Sequence, residues 1–252
     1  MKPNELKDKV ALVTGASKGL GKAMSLALAQ AGAKLALVSR DEKLLTETAA
    51  AITALGSEAA VFPADVSDEA QVLALEKTVA ARFGRVHILI NNAGINLRKP
   101  VTDFTLDEWT RIQTTNVTSA FLMCRAFVPQ MKGQGYGRII NMTSMMSHIS
   151  LPGRTAYSTS KAALLGFTKA LALELAPDCI TVNGISPGPC STEINQALME
   201  NAELRQFFLS RIPVGRWGKP EEIGQLAVFL CSEAAGFITG TDIIIDGGWT
   251  AQ

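Results

Sequence analysis

Tyr157 and Lys161 stand four residues apart, a spacing that puts both side chains on one face if the segment is helical. A phenol with an ordinary pKa of ~10 is a poor base at neutral pH. A neighbouring ammonium favours the phenolate and lowers that value, so the pair can exchange a proton with an alcohol or ketone oxygen. Taken alone, the spacing is common helix decoration. Ser144, thirteen residues upstream at the end of the run RIINMTS, adds a hydroxyl that can hold the substrate oxygen beside the phenol. Asn116 falls inside a helical pattern, where its amide is a poor interior choice unless it has a hydrogen-bonding task; a plain hydrogen bond in a kinked helix is the alternative.

A second group of residues suits phosphate. Thr14-Gly15-Ala16-Ser17-Lys18-Gly19-Leu20-Gly21 follows an apolar run and opens a helical pattern. Glycines there let the backbone turn sharply and approach a diphosphate, against the free N–H groups and positive dipole end of the helix. A lone glycine-rich loop fits an ordinary strand-to-helix turn too, but its place after the first strand of a βα series favours a nucleotide.

The elements that must position these groups are legible as runs and periods. Seven apolar or β-branched runs predict strands: KVALVTG from Lys9, KLALVSR from Lys34, EAAVFPADV from Glu58, VHILINNAG around His87, RIINMTS from Arg138, CITVNGISPG from Cys179 and DIIIDGG from Asp242. Most are continuously apolar, as strands buried on both faces must be. Helical patterns lie between them at Leu20 to Ala31, Glu42 to Leu55, Glu69 to Phe83, Leu106 to Met131, Ala156 to Leu175 and Glu221 to Cys231. The alternation predicts an α/β fold: a single Rossmann-type, doubly wound parallel sheet of about seven strands with helices on both faces. No linker or low-complexity block divides residues 1–252, so one dinucleotide-binding and catalytic domain is expected. The Pro-flanked excursion at 187–220 interrupts the alternation and reads as a substrate-binding lid.

The spacing Gly-x-x-x-Gly-x-Gly resembles the short-chain dehydrogenases/reductases. The likeness runs along nearly the whole chain: Thr14 to Gly21, Asp65-Val66, Asn91-Asn92-Ala93-Gly94, Asn116, Ser144, Tyr157-x-x-x-Lys161, Pro187-Gly188 with Thr192, and Asp246-Gly247-Gly248. The resemblance implies a nicotinamide cofactor. It implies that Asn92, Ala93 and Gly94 support the cofactor cavity, that Asp65 with Val66 meets the adenine, and that the backbone from Ile185 to Thr192 meets the nicotinamide. It also implies a triad of Ser144, Tyr157 and Lys161, with Asn116 holding a water that completes a proton relay to the lysine.

Charge argues the cofactor's form. The second strand ends Val38-Ser39-Arg40, and Lys18 of the glycine loop faces the same place, together with Ser17. Such donors suit a phosphorylated ribose, hence NADP(H). Asp41 next door keeps open the reading of Arg40 and Lys18 as surface charges. Arg98, four residues after Gly94, lies on the cleft side of the fourth strand, and basic residues at this spacing occur in gluconate 5-dehydrogenase-like members. It is either a receptor for a sugar-acid carboxylate or a solvated arginine. Met145, Met146, Phe207 and Phe208 line the substrate mouth or pack a lid, and His148 lines the pocket or sits on an exposed loop.

Lys plus Arg number 24 and Asp plus Glu 23, a formal charge of +1; no global field draws nucleic acid or an anionic membrane. The longest uncharged run, Ile139 to Gly153, is too polar for a span. The N-terminal MKPNELKDKV has charges where a signal peptide needs its apolar stretch, so a cytoplasmic location is expected. Cys124, Cys179, Cys190 and Cys231 lack metal-ligand spacing, and only His87 and His148 are histidines; no metal centre is expected. The expected protein is an NADP(H)-dependent oxidoreductase, most simply a homotetramer, acting on a small alcohol or ketone such as a polyol or sugar acid. The alternative is a 3-oxoacyl-acyl-carrier-protein reductase or general carbonyl reductase, a branch that Arg154 and RIPVGRWGKPEEIG also resemble. More distant is a catalytically silent NADP-binding interaction protein, which loss of Tyr157, Lys161 or Ser144 would favour.

Overall fold

A computed structural model describes residues 4–252, the side chain of Ile194 apart; the first three residues of the charged N-terminal stretch lie outside it. All seven predicted runs form strands: β1 Val10–Thr14, β2 Lys34–Ser39, β3 Ala59–Pro63, β4 Ile88–Asn91, β5 Gly137–Met142, β6 Ile180–Pro187 and β7 Asp242–Ile245. They make one all-parallel sheet of order β3-β2-β1-β4-β5-β6-β7. In β1, Ala11 and Val13 enter the apolar cluster on one face while Val10 and Leu12 enter that on the other. Both faces of the strand are dry, which is why its sequence is continuously apolar rather than alternating.

The helices are α1 Gly19–Gln30, α2 Glu42–Ala54, α3 Glu69–Phe83, α4 Leu106–Gln113, α5 Ser119–Met131, α6 Thr155–Leu175, α7 Gln196–Glu200, α8 Ala202–Leu209 and α9 Pro220–Cys231. Asp41 and Asp68 start α2 and α3 by accepting from Leu44 N and Gln71 N, each at 3.1 Å, which satisfies backbone donors left free at a helix start. The continuous helix expected from Leu106 to Met131 is divided. Thr114–Thr118 forms one π-helical turn between α4 and α5, where an extra residue is accommodated without ending the helix. The excursion at 187–220 contains α7 and α8, helices too short for their periodicity to stand out. Among the described residues, no helix is long and apolar enough to cross a membrane. Cys124, Cys190 and Cys231 are buried, and burial pushes each thiol up to about 12.

The sheet order reverses at β1, whose neighbours are β2 and β4. Helices following the two halves depart to opposite faces there, opening a crevice beyond the carboxyl ends of the strands. Every residue of the predicted site that reaches solvent does so near this crevice, with one exception described below.

Candidate active site

A cavity of about 870 Å³ occupies the crevice. Its floor is the glycine loop. Gly15 has φ +64°, and a side chain there would meet Asn92 Nδ2 at 2.8 Å and Ala93 Cα at 3.1 Å. Gly21 lies deeper: its Cβ would stand 2.1 Å from Gly15 O. It therefore packs the start of α1 under the loop and does not line the cavity, contrary to the expectation that it touches a ligand. Asn92 staples this floor to β4 by donating from Nδ2 to Thr14 O at 2.9 Å and Gly15 O at 3.2 Å. Thr14 Oγ1 accepts from the backbone N–H groups of Asn92 and Ala93.

At one end of the cavity stand Ser17, Lys18, Ser39, Arg40, Asp65 and Val66. Ser39 donates to Ser17 Oγ at 3.2 Å, and Arg40 Nη1 lies 3.6 Å from Asp65 Oδ2. Burial opposes ionisation of Asp65, but Ser67, donating from its hydroxyl and backbone, and the Arg40 cation together hold the carboxyl below its ordinary value. Asp41, the residue that kept open the reading of Arg40 and Lys18 as surface charges, has turned one oxygen to the first turn of α2 as its cap. Lys18 is exposed on the loop and, among the described residues, has no ion pair. Gly19, Leu20, Gly94, Pro187, Gly188 and Thr192 complete the walls. A glycine floor that excludes side chains, next to an exposed lysine and an arginine, fits a dinucleotide with a phosphate on its adenosine ribose.

Ser144, Tyr157 and Lys161 meet farther along the same cavity. Lys161 is buried and donates from Nζ to Met142 O at 2.5 Å; its desolvation lowers the ammonium pKa to about 8. The Tyr157 ring centroid is 5.7 Å from that nitrogen. Burial raises the Tyr157 pKa, against a hydrogen bond with Ser144 and the positive charges of Arg154 and Arg98, which favour the phenolate. Two arginines favour the phenolate here, and desolvation outweighs them. Ser144 Oγ also accepts from Met146 N at 3.1 Å, opening a short 3₁₀ turn that turns Met145 and Met146 into an apolar cluster with Leu198, Phe208, Ile212 and Trp249.

Asn116 sits in the π turn, buried and off the cavity surface. Its Nδ2 donates to Ile95 O at 3.0 Å and Ser160 Oγ at 2.9 Å, while Oδ1 accepts from Ile95 N at 2.8 Å. Both amide hydrogens are thus occupied by protein partners, and the amide ties the loop after β4 to α6.

Arg98 lines the cavity, its Nη2 3.5 Å from Asn195 Oδ1. His148 does not. Its Nε2 is 2.7 Å from Asp242 Oδ2, because that mostly buried carboxylate gathers polar partners and also accepts from Thr143 and Ser186. Of the Phe pair, Phe208 faces the cavity, whereas Phe207 is more exposed and stacks under Arg211. Sequence reasoning missed Thr115 and Arg154 as lining residues and reached Leu198 and Trp217 only as part of the 187–220 excursion. Only Arg154 carried a signal, a charge three residues before Tyr157 at the mouth of α6.

Comparison with known proteins agrees with this geometry. The family profile described as Enoyl-(Acyl carrier protein) reductase matches residues 15–250. A 2-dehydro-3-deoxy-D-gluconate 5-dehydrogenase of Dickeya dadantii is 39% identical over 248 residues, spanning 98% of this chain and 97% of its own. A gluconate 5-dehydrogenase of Gluconobacter oxydans is 35% identical over 242 residues, spanning 96% and 94%. The crystal structure of a gluconate 5-dehydrogenase from Burkholderia cenocepacia, in complex with NADP and tartrate, is similar at a TM-score of 0.94 and 34% identity, covering 99% of this chain and 98% of that one. Matched over nearly its whole length by this profile and these relatives, the chain belongs to the short-chain dehydrogenase/reductase family of oxidoreductases.

Proposed function

We propose that the protein interconverts a secondary alcohol and a ketone with NADP(H), and that its substrate is a polyol or sugar acid of the gluconate 5-dehydrogenase kind. One observation carries the reading: a single cavity joins the Lys18 and Arg40 end to Ser144, Tyr157, Lys161 and Arg98. The NADP in the Burkholderia cenocepacia structure and the substrates named for the curated relatives support it.

Bound along the glycine floor, the nicotinamide supplies or accepts the hydride. Tyr157 passes the proton to or from the oxygen on the reacting carbon. Ser144 holds that oxygen against the phenol. Lys161, fixed on the Met142 carbonyl, holds the cofactor's ribose and favours the phenolate. Asn116 positions the loop after β4 and acts through it. Ser17, Lys18, Ser39 and Arg40 take the ribose phosphate, and Asp65 with Val66 borders the adenine. Residues 187–220 close over the substrate, with Leu198, Phe208 and Trp217 as the inner face of the lid.

The working protein is a cytoplasmic homotetramer in this reading. Edge strand β7 carries Ile244, 39% exposed, and α9 carries Phe229, 40% exposed, apolar surface of the kind that symmetry mates cover. Light scattering at micromolar concentration is expected to give four chains; a monomer mass would refute the assembly.

A panel of gluconate, 2-deoxygluconate, polyols, their keto forms and an acetoacetyl thioester, run in both directions with NADP and NAD, tests the function. Turnover of sugar acids or polyols with NADP is expected. Turnover of the thioester alone would move the protein to the acyl-carrier branch, and no turnover at all would end the enzymatic reading.

A further inference from the structure

Two arginines of this molecule are almost wholly buried, and they are treated very differently. Arg138, 3% exposed, donates to Gly137 O at 2.9 Å and Ser232 O at 3.1 Å and lies over the Tyr136 ring. Arg154, 8% exposed, makes no side-chain hydrogen bond or ion pair among the described residues, and the little surface its guanidinium keeps lies at the cavity. A buried cation ordinarily has such partners, because it has given up water. Arg154 borders the catalytic cavity, so the missing partner has an open route to it.

The surroundings of Arg154 define that partner's charge. Arg98 borders the same cavity, and its positive charge is felt by Arg154, just as both are felt by Tyr157. Burial first, and then the Arg98 charge, lower the Arg154 pKa to about 10. The acidic residues that line the cavity stand elsewhere. Asp41, Glu42 and Asp65 lie at the ends of β2 and β3, and Glu193 lies beside Gly19. The wall near Tyr157 is therefore doubly positive and uncompensated.

We propose that Arg154 is the principal receptor for a carboxylate on the substrate, with Arg98 as the second arm of the same clamp. The inference rests on the reading of this cavity as an alcohol dehydrogenase centre, and it narrows the substrates to hydroxy acids and their oxo forms. A planar guanidinium offers paired donors that match a carboxylate. Geometry adds a further restriction. Arg154 immediately precedes α6, and Tyr157 is the third residue of that helix, so the anion receptor and the proton donor ride on one turn. The separation between carboxylate and reacting carbon is then read by a rigid element. Hydroxy acids of one chain position are selected over their positional isomers.

The test uses gluconate and glucitol, the same carbon chain with and without the carboxylate. Calorimetry on the NADP-loaded Tyr157→Phe protein measures binding apart from chemistry, and kcat/KM of the enzyme with intact Tyr157 measures turnover. Arg154→Gln is expected to weaken gluconate binding by about ten- to a hundredfold and to lower kcat/KM for gluconate by at least about tenfold more than for glucitol, the loss common to both substrates reporting the charge removed beside Tyr157. Arg154→Lys, which keeps the charge and loses the fork, is expected to fall between. Melting temperatures of both variants establish that they are folded. Unchanged gluconate affinity in folded Arg154→Gln overturns the clamp and leaves the dehydrogenase reading standing. Absence of alcohol turnover by the wild-type protein refutes that reading, while the calorimetric result still decides whether Arg154 binds the anion.

Discussion

Asn116 and Ile95 hold each other by a reciprocal pair of hydrogen bonds, Ile95 N to Oδ1 at 2.8 Å and Nδ2 to Ile95 O at 3.0 Å. The side chain imitates a strand partner for a backbone segment that has left the sheet, one residue beyond Gly94. Asn116→Ala leaves the half-buried N–H and C=O of Ile95 unpaired, which costs on the order of 1 kcal/mol. For a chain of this size, each kcal/mol lowers the melting temperature by roughly 2–4 °C. Calorimetric melting is expected to show that loss together with a fall in kcat, because the loop that the amide fixes borders the reacting centre. A variant melting like the wild type would show that the pair carries no stability.

Tyr157→Phe removes only the phenolic oxygen. Turnover is expected to fall to nearly nothing while the NADPH dissociation constant, followed by cofactor fluorescence, stays within a small factor. Lys161→Ala is expected to damage both, since its ammonium is held between Met142 O and the cavity. A Tyr157→Phe protein with substantial activity would remove the proton-transfer role.

Lys161 also gives a pH dependence of stability with a definite sign. Its folded pKa of about 8 lies below the ordinary 10.5. Between those values the unfolded chain binds more protons at this site than the native one, so its contribution to stability rises with pH. Comparison of denaturant midpoints for wild type and Lys161→Met isolates this group. The wild type is expected to gain on the variant from pH 8 to 10, and a constant difference across that window would contradict the desolvation argument.

In the proposed reading Arg40 sets the cofactor preference. Arg40→Asp places a carboxylate beside Asp65, which now pairs with the guanidinium at 3.6 Å, and confronts the ribose phosphate with negative charge. NADP affinity is expected to fall and relative use of NAD to rise. Equal or better turnover with NAD in the unmodified protein would overturn the NADP assignment.

Arg98 is reached from the same loop that Asn116 fixes. Arg98→Ala is expected to cost roughly ten- to a hundredfold in kcat/KM on gluconate or 5-ketogluconate and little on a neutral ketone. An equal loss on both would make Arg98 a structural cation.

Local chemistry determined the seven strands, the parallel sheet, the glycine floor and the shared helix face of Tyr157 and Lys161, while the family resemblance joined Ser144 to them. A strand buried on both faces must be apolar throughout, and a phenol and an amine four residues apart on a helix must share a face; neither fact needs knowledge of distant residues. Most predicted cofactor residues line one cavity for the same reason, since the ends of parallel strands converge at a reversal of strand order.

Tertiary structure decided what depends on partners far along the chain. His148 left the pocket because Asp242, 94 residues away, is mostly buried and needs donors. The helix from Leu106 was interrupted by a π turn because Asn116 meets both Ile95 and Ser160. Arg154 and Arg138 are alike in a string of letters. Only the packed chain surrounds one with carbonyl acceptors and leaves the other facing an open cavity, since burial and hydrogen-bond satisfaction are properties of what lies across space from a residue.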